Sequence, residues 1–255
     1  MNVSPLTAKI RKAHDQGRLA LIPFLPAGFP DRLRFWAEIE ELDHSGADVI
    51  EIGMPFSDPV ADGPTVERAS LRSLELGVSL SWILEELAKR RPGYAAEFVL
   101  MGYLNPILQY GVERFAVDAA RAGVAGVIVA DLPYEEAAEL RATLAGRGLA
   151  LIPLVGLNTP RERLDLYAKT SQGFVYFVSV LGTTGERESL PDEVKDKLAA
   201  TREAFEIPVA LGFGLRSPEQ LRTLRGLVDA AVFGSALIRH IEAGGRSGEF
   251  MRAWK

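Results

Sequence analysis

The chain has 255 residues, 47% hydrophobic and 25% charged, with a mean hydropathy of +0.07, a composition that excludes disordered and collagenous chains and suffices for a sizeable core. Its 29 basic and 34 acidic side chains leave a net charge of −5 with no face-sized cluster of Lys or Arg, which argues against a nucleic-acid surface and for small-molecule partners. There is no cysteine, so disulfides, thiolate nucleophiles and thiolate metal sites are excluded together.

Met1 to Ala20 is charged and short of apolar residues, unlike a signal peptide or a membrane span, and the expectation is a cytoplasmic protein. Without a Pro-, Gly- or Ser-rich linker, residues 1–255 are expected to form one domain. Ser4-Pro5 predicts an N-capped extra helix over Leu6–Gln16. Eight apolar runs of strand length follow, near Leu19–Pro26, Asp48–Met54, Glu97–Tyr103, Gly126–Leu132, Leu149–Val155, Phe174–Val180, Pro208–Phe213 and Ala230–Gly234. Amphipathic segments such as Leu33–Ser45, Ser81–Arg90, Val112–Ala122, Tyr134–Arg147 and Pro160–Ser171 supply the crossovers of a parallel sheet. Eight βα units in about 250 residues is the arithmetic of a (β/α)8 TIM barrel, with the extra helix on its floor. A doubly wound open sheet competes but gives no reason to stop at eight.

The interval after the second strand departs from the pattern. Pro55-Phe56-Ser57-Asp58-Pro59-Val60-Ala61-Asp62-Gly63-Pro64 is too rich in Pro and Asp to be helix and predicts a long loop on the C-terminal face, where barrel active sites are built. The three histidines, His14, His44 and His240, fall in predicted helices, and every lysine lies outside the strands. A histidine-held metal and a Schiff base are therefore not expected, and carboxylates, hydroxyls and backbone amides must carry the chemistry.

Glu51 is the anomaly of the chain, a carboxylate inside the otherwise apolar Ala47-Asp48-Val49-Ile50-Glu51-Ile52-Gly53. Strand alternation turns Ile50 and Ile52 one way and Glu51 the other; if the isoleucines meet the helices, Glu51 points into the barrel mouth. Desolvation there would raise its pKa into the range of general acid and base work. Asp62 and Asp58 share the inserted loop, where Asp58 fits turn chemistry as well as function. Asp131, closing the predicted fourth strand, reads as a helix-entry or loop-anchoring acid.

Gly182-Thr183-Thr184-Gly185, Gly212-Phe213-Gly214 and Gly234-Ser235 end three adjacent strands. Together they predict a phosphate held by backbone N–H groups and the N-terminus of the helical run Ala236–Glu242. Phe24, Met101, Ile128, Phe213 and Val232 lie near strand ends; some are barrel core layers, yet such a lining suits a flat aromatic ligand. Tyr176, below the Gly182–Gly185 loop, adds a hydroxyl that could orient a substrate or a carboxylate.

The run Ile50–Pro64 resembles the long signature of the tryptophan synthase alpha chain family. Met101-Gly102-Tyr103-Leu104-Asn105-Pro106, Ala130-Asp131-Leu132-Pro133-Tyr134-Glu135-Glu136, Thr184-Gly185, Gly212–Gln220 and Gly234-Ser235-Ala236 extend the resemblance in order over nearly the whole chain. It implies the TIM barrel, with long loops after the second and sixth strands, and retro-aldol cleavage of indole-3-glycerol phosphate to indole and glyceraldehyde 3-phosphate without a metal or cofactor in this chain. By resemblance Glu51 is the general acid and base, Asp62 accepts the indole N–H, and Tyr176 positions the substrate. Phe24, Met101, Ile128, Thr184, Phe213 and Val232 line the site, and Gly185, Gly214, Gly234 and Ser235 hold the phosphate. The resemblance also implies an αββα heterotetramer with a beta chain that carries pyridoxal phosphate, coupled through the loops of Asp58 and Thr184. Phe29 and Thr183 depart locally from the family pattern. A stand-alone lyase releasing free indole and a catalytically silent barrel that activates a beta chain are the alternatives.

Overall fold

A computed structural model describes residues 3–179, 190–212 and 219–254. Helix α1 (Pro5–Asp15) precedes strand β1 (Ala20–Pro26), and strands then alternate with helices: α2 (Arg32–His44), β2 (Val49–Gly53), α3 (Pro64–Glu75), α4 (Leu80–Arg90), β3 (Glu97–Gly102), α5 (Leu104–Tyr110), α6 (Val112–Arg121), β4 (Val124–Val129) and α7 (Ala138–Ala145). The second half runs β5 (Ala150–Leu151), β6 (Leu154–Gly156), α8 (Arg161–Ala168), β7 (Val175–Val178), α9 (Asp192–Ala204), β8 (Val209–Gly212), α10 (Glu219–Leu224), β9 (Ala230–Phe233), α11 (Ser235–Glu242) and α12 (Ser247–Ala253). No helix among the described residues is long and apolar enough to cross a membrane.

Every strand pairing is parallel, in the order β5-β4-β3-β2-β1-β9-β8-β7-β6. The two ends of that order are halves of the predicted fifth strand, divided at Ile152-Pro153 because proline has no N–H to give to a ladder. The division does not open the ring. Ile152 N–H donates to the Val127 carbonyl at 2.9 Å on one side, and the Pro153 carbonyl accepts from Tyr176 N–H at 3.0 Å on the other. The alternating α/β architecture and the closed parallel barrel agree with the sequence expectation.

Alternation divides the apolar residues into two cores. Ile50, Ile52, Leu100, Val127, Phe177, Leu211 and Phe233 face outward into the layer beneath the helices, while Val49, Val99, Ile128, Ala210 and Val232 fill the barrel interior. Helix α1 closes the floor: Leu6, Ile10 and Ala13 join the interior cluster, and the Thr7 hydroxyl donates to the Gly173 carbonyl at 2.5 Å. Gly126 makes room for this plug, since a Cβ there would stand 2.8 Å from Leu6.

Several predicted boundaries are corrected. Strand β4 ends at Val129, so Asp131 lies beyond the strand rather than closing it. Pro64 belongs to helix α3, whose first turn tolerates proline because its N–H would be unpaired there anyway. The helix predicted over Tyr134–Arg147 starts only at Ala138, after consecutive turns. Ser4 precedes α1 without a side-chain cap; Pro5 at the first helical position starts it instead.

Candidate active site

Glu51 sits in the middle of β2, in register with Phe24 on β1 and Val99 on β3. Its neighbours Ile50 and Ile52 pack in the outer core and Val49 in the inner one, so alternation points the carboxyl into the barrel. It is fully buried, and neither oxygen has a hydrogen-bond partner among the described residues. Lost hydration with nothing in exchange pushes its pKa up to about 8. At neutral pH this side chain holds a proton that it can deliver and recover.

The loop between β2 and α3 brings up a second acid. Burial raises the pKa of Asp62, the Tyr103 hydroxyl pulls it partly back, and the charge of Glu67 pushes it up again. Asp62 lines one cavity with Phe24, Met101, Gly53 and Tyr103. Tyr176, on β7 between Leu154 and Ala210, has its pKa raised well above the ordinary value by desolvation and then by the charges of Glu51 and Asp62. The hydroxyl thus lies within electrostatic reach of both carboxylates. Gly212 accommodates it, because a Cβ there would collide with the Tyr176 ring.

Phe24 forms the aromatic wall and is held between two glycines. A Cβ on Gly53 would stand 2.8 Å from the ring, and one on Gly234 2.7 Å from it. Directly after Gly234, helix α11 begins at Ser235 with no side chain capping it, which leaves its first amides for an anion. Phe24 thus stands against both Gly53 and the glycine that precedes α11. Thr184, Gly185, Phe213 and Gly214 lie outside the described residues.

The other predicted residues take different places. Ile128 and Val232 are buried in the inner core, Ile128 in register with the cavity-lining Met101 and Val232 with Gly212. Asp58 is exposed; its carboxylate accepts from the Ser57 hydroxyl and its carbonyl from Val60 N–H, the bonding of a turn. Asp131 accepts from Leu104 N–H at 2.8 Å at the start of α5, the loop-anchoring role read from the sequence. His14, His44 and His240 are all on helices. No cluster suited to a metal occurs among the described residues. A roomier cleft opens beside Tyr134 and Tyr167, where Arg163 pairs with Glu135 at 2.7 Å.

Two residues escaped the sequence reading. Leu154 packs against the inner cluster, and the period-two series Ala150, Ile152, Leu154 contains that signal. Tyr103 was visible only as part of a motif, although a tyrosine just past a strand's C-terminal end is a site position in any barrel. The arrangement combines a deep neutral acid, a second carboxyl nearer the mouth, an aromatic wall and an open helix N-terminus. It is suited to proton transfer on a flat aromatic ligand with an anionic tail.

Comparison with known proteins points the same way. The family model described as "Tryptophan synthase alpha chain" matches residues 10–253. A tryptophan synthase alpha chain of Maridesulfovibrio salexigens is 62% identical over 255 residues, covering 100% of both chains. One from Gluconacetobacter diazotrophicus is 48% identical, covering 93% of this chain and 88% of its own. Among solved structures, the tryptophan synthase alpha chain of Legionella pneumophila superposes with a TM-score of 0.89 at 30% identity, covering 99% of this chain and 96% of its own. A tryptophan synthase structure from Mycobacterium tuberculosis gives 0.89 at 34%, covering 99% and 98%.

Proposed function

Since the chain belongs to the tryptophan synthase alpha chain family and cleaves indole-3-glycerol phosphate in tryptophan biosynthesis, we propose that Glu51, Asp62 and Tyr176 divide the work of that lyase reaction. Glu51 starts protonated and gives its proton to C3 of the indole ring. The ring becomes a cation with its charge centred on the N–H. The Glu51 carboxylate then takes the proton of the adjacent side-chain hydroxyl, the carbon–carbon bond breaks, and its electrons restore the neutral aromatic ring. Indole and glyceraldehyde 3-phosphate leave, and Glu51 again carries a proton.

Asp62 accepts the indole N–H and offsets the positive charge that develops there. Tyr176 positions the substrate beside Glu51. Phe24 and Met101 pack on the ring, with Ile128, Thr184, Phe213 and Val232 completing the lining. Gly185, Gly214, Gly234 and Ser235 hold the phosphate through backbone amides. The observation that carries the assignment is the buried, unpartnered Glu51 carboxyl facing the barrel interior.

The protein acts as one barrel domain docked on a beta chain in an αββα heterotetramer in the cytoplasm, with Asp58 in the coupling loop. Pyridoxal phosphate belongs to the beta chain. The test is indole release from indole-3-glycerol phosphate by the purified chain, alone and titrated with a beta chain. Strong activation supports the synthase subunit, equal rates support a stand-alone lyase, and no cleavage in either arm supports a silent activator. Glu51→Gln is expected to abolish cleavage while leaving substrate binding largely intact; near-normal turnover removes Glu51 from the mechanism.

A further inference from the structure

The loop that carries Asp62 has few bonds of its own. Val60 N–H donates to the Asp58 carbonyl at 2.9 Å and Asp62 N–H to the Pro59 carbonyl at 3.1 Å. Its fixed points come from neighbouring elements. At Phe56, the buried Ser70 hydroxyl of α3 accepts the backbone N–H at 3.1 Å and donates to the carbonyl at 3.3 Å. At Ala61, next to the acid, the backbone N–H donates to the Tyr103 hydroxyl at 3.0 Å.

Tyr103 follows β3 and is only 3% exposed. Its ring lies against Phe56, with centroids 5.2 Å apart. The backbone behind it is tied to the next loop, because Leu104 N–H donates to Asp131. The phenol therefore projects from a braced strand end, accepts from the residue before Asp62 and lines the same cavity as the Asp62 carboxyl, whose pKa it lowers against the effect of burial.

We infer that Tyr103 is a positioning residue for the cleavage reaction: it fixes the height of the loop through Ala61 and so sets where the Asp62 carboxyl stands in the cavity they share. The inference rests on the role proposed above for Asp62. An acid that must carry charge in a partly desolvated mouth works against the cost of burial, and a donor hydroxyl offsets part of that cost. With Ala61 N–H filling an acceptor position, the Tyr103 hydroxyl keeps its single proton to donate, and Asp62 is the carboxyl that shares its cavity.

The experiment compares Tyr103→Phe, which keeps the ring on Phe56, with Asp62→Asn, both assayed for indole release across pH. Tyr103→Phe is expected to lower kcat by about ten- to a hundredfold, with KM changed far less, and to move the acid limb of the profile upward. Asp62→Asn is expected to lose most activity at every pH. A Tyr103→Phe enzyme with the parent's acid limb, whether its rate falls or not, assigns the hydroxyl a structural role only and overturns the inference while Asp62 stands. Near-normal cleavage by Asp62→Asn overturns the role of the acid and the inference with it.

Discussion

Replacing Glu51 with glutamine keeps the shape of the side chain and removes its ability to ionise. In the folded chain this carboxyl is buried without a partner and its pKa stands at about 8, against an ordinary 4.5. A folded-state value above the unfolded one has a definite sign. The contribution to stability is fully present below pH 4.5, where both states are protonated, and is lost as pH rises through 8. Between those values the unfolded chain has released a proton that the folded chain still holds, and stability falls by about 1.4 kcal/mol per pH unit. The loss reaches about 3 kcal/mol at pH 7 and about 5 kcal/mol above pH 8.

Glutamine has no proton to release, so the Glu51→Gln protein should be inactive and should gain stability over its parent along that slope. The assay is urea unfolding of both proteins at intervals from pH 5 to 9, with the difference between them plotted against pH. The difference, rather than either curve, isolates this one group, because other titrations cancel. Two curves that run parallel from pH 5 to 8 would show that the carboxyl is hydrated in the native state, and the acid–base assignment would lose its physical basis.

Cleavage itself should lose rate as pH rises through about 8, since Glu51 must be protonated to attack C3; kcat/KM that stays flat well above that pH would require a different proton donor. Glu38→Ala should cost about 3 kcal/mol, because the buried carboxylate accepts from Arg34 at 3.0 Å and from Ser247 N–H at 2.7 Å, joining α2 to α12. Hydrogen exchange should show α12 losing protection first, and unchanged protection would mean that the apolar contacts of α12 suffice. Gly53→Ala should cost about 1–3 kcal/mol and raise KM, because the Phe24 ring is confined on its other side by Gly234. An unaltered KM would show that the ring moves aside freely.

The eight strand-length runs and the odd carboxylate in the second were legible in the sequence because both are local signals, apolar period and its violation. The inward direction of Glu51 also follows from period two once Ile50 and Ile52 are assigned to the helices. The reading failed where boundaries depend on pairing. Asp131 follows directly on an apolar run and looks like its last member, yet β4 has already ended at Val129 and the carboxylate turns to Leu104. Leu149–Val155 looks like one strand, and only its two partners show that Pro153 divides it.

What the sequence by itself determined is the barrel, the acid within it and the glycine-rich strand ends, because each is a pattern along the chain that backbone geometry converts directly into a direction. What only the tertiary structure decided is which side chains meet. That Asp62 shares a cavity with Tyr103, that Tyr176 feels both carboxylates, and that Phe24 lies between Gly53 and Gly234 are relations between segments far apart in sequence. Closure of the sheet brings those strand ends together, and burial there is what makes a common carboxyl an acid of pKa about 8.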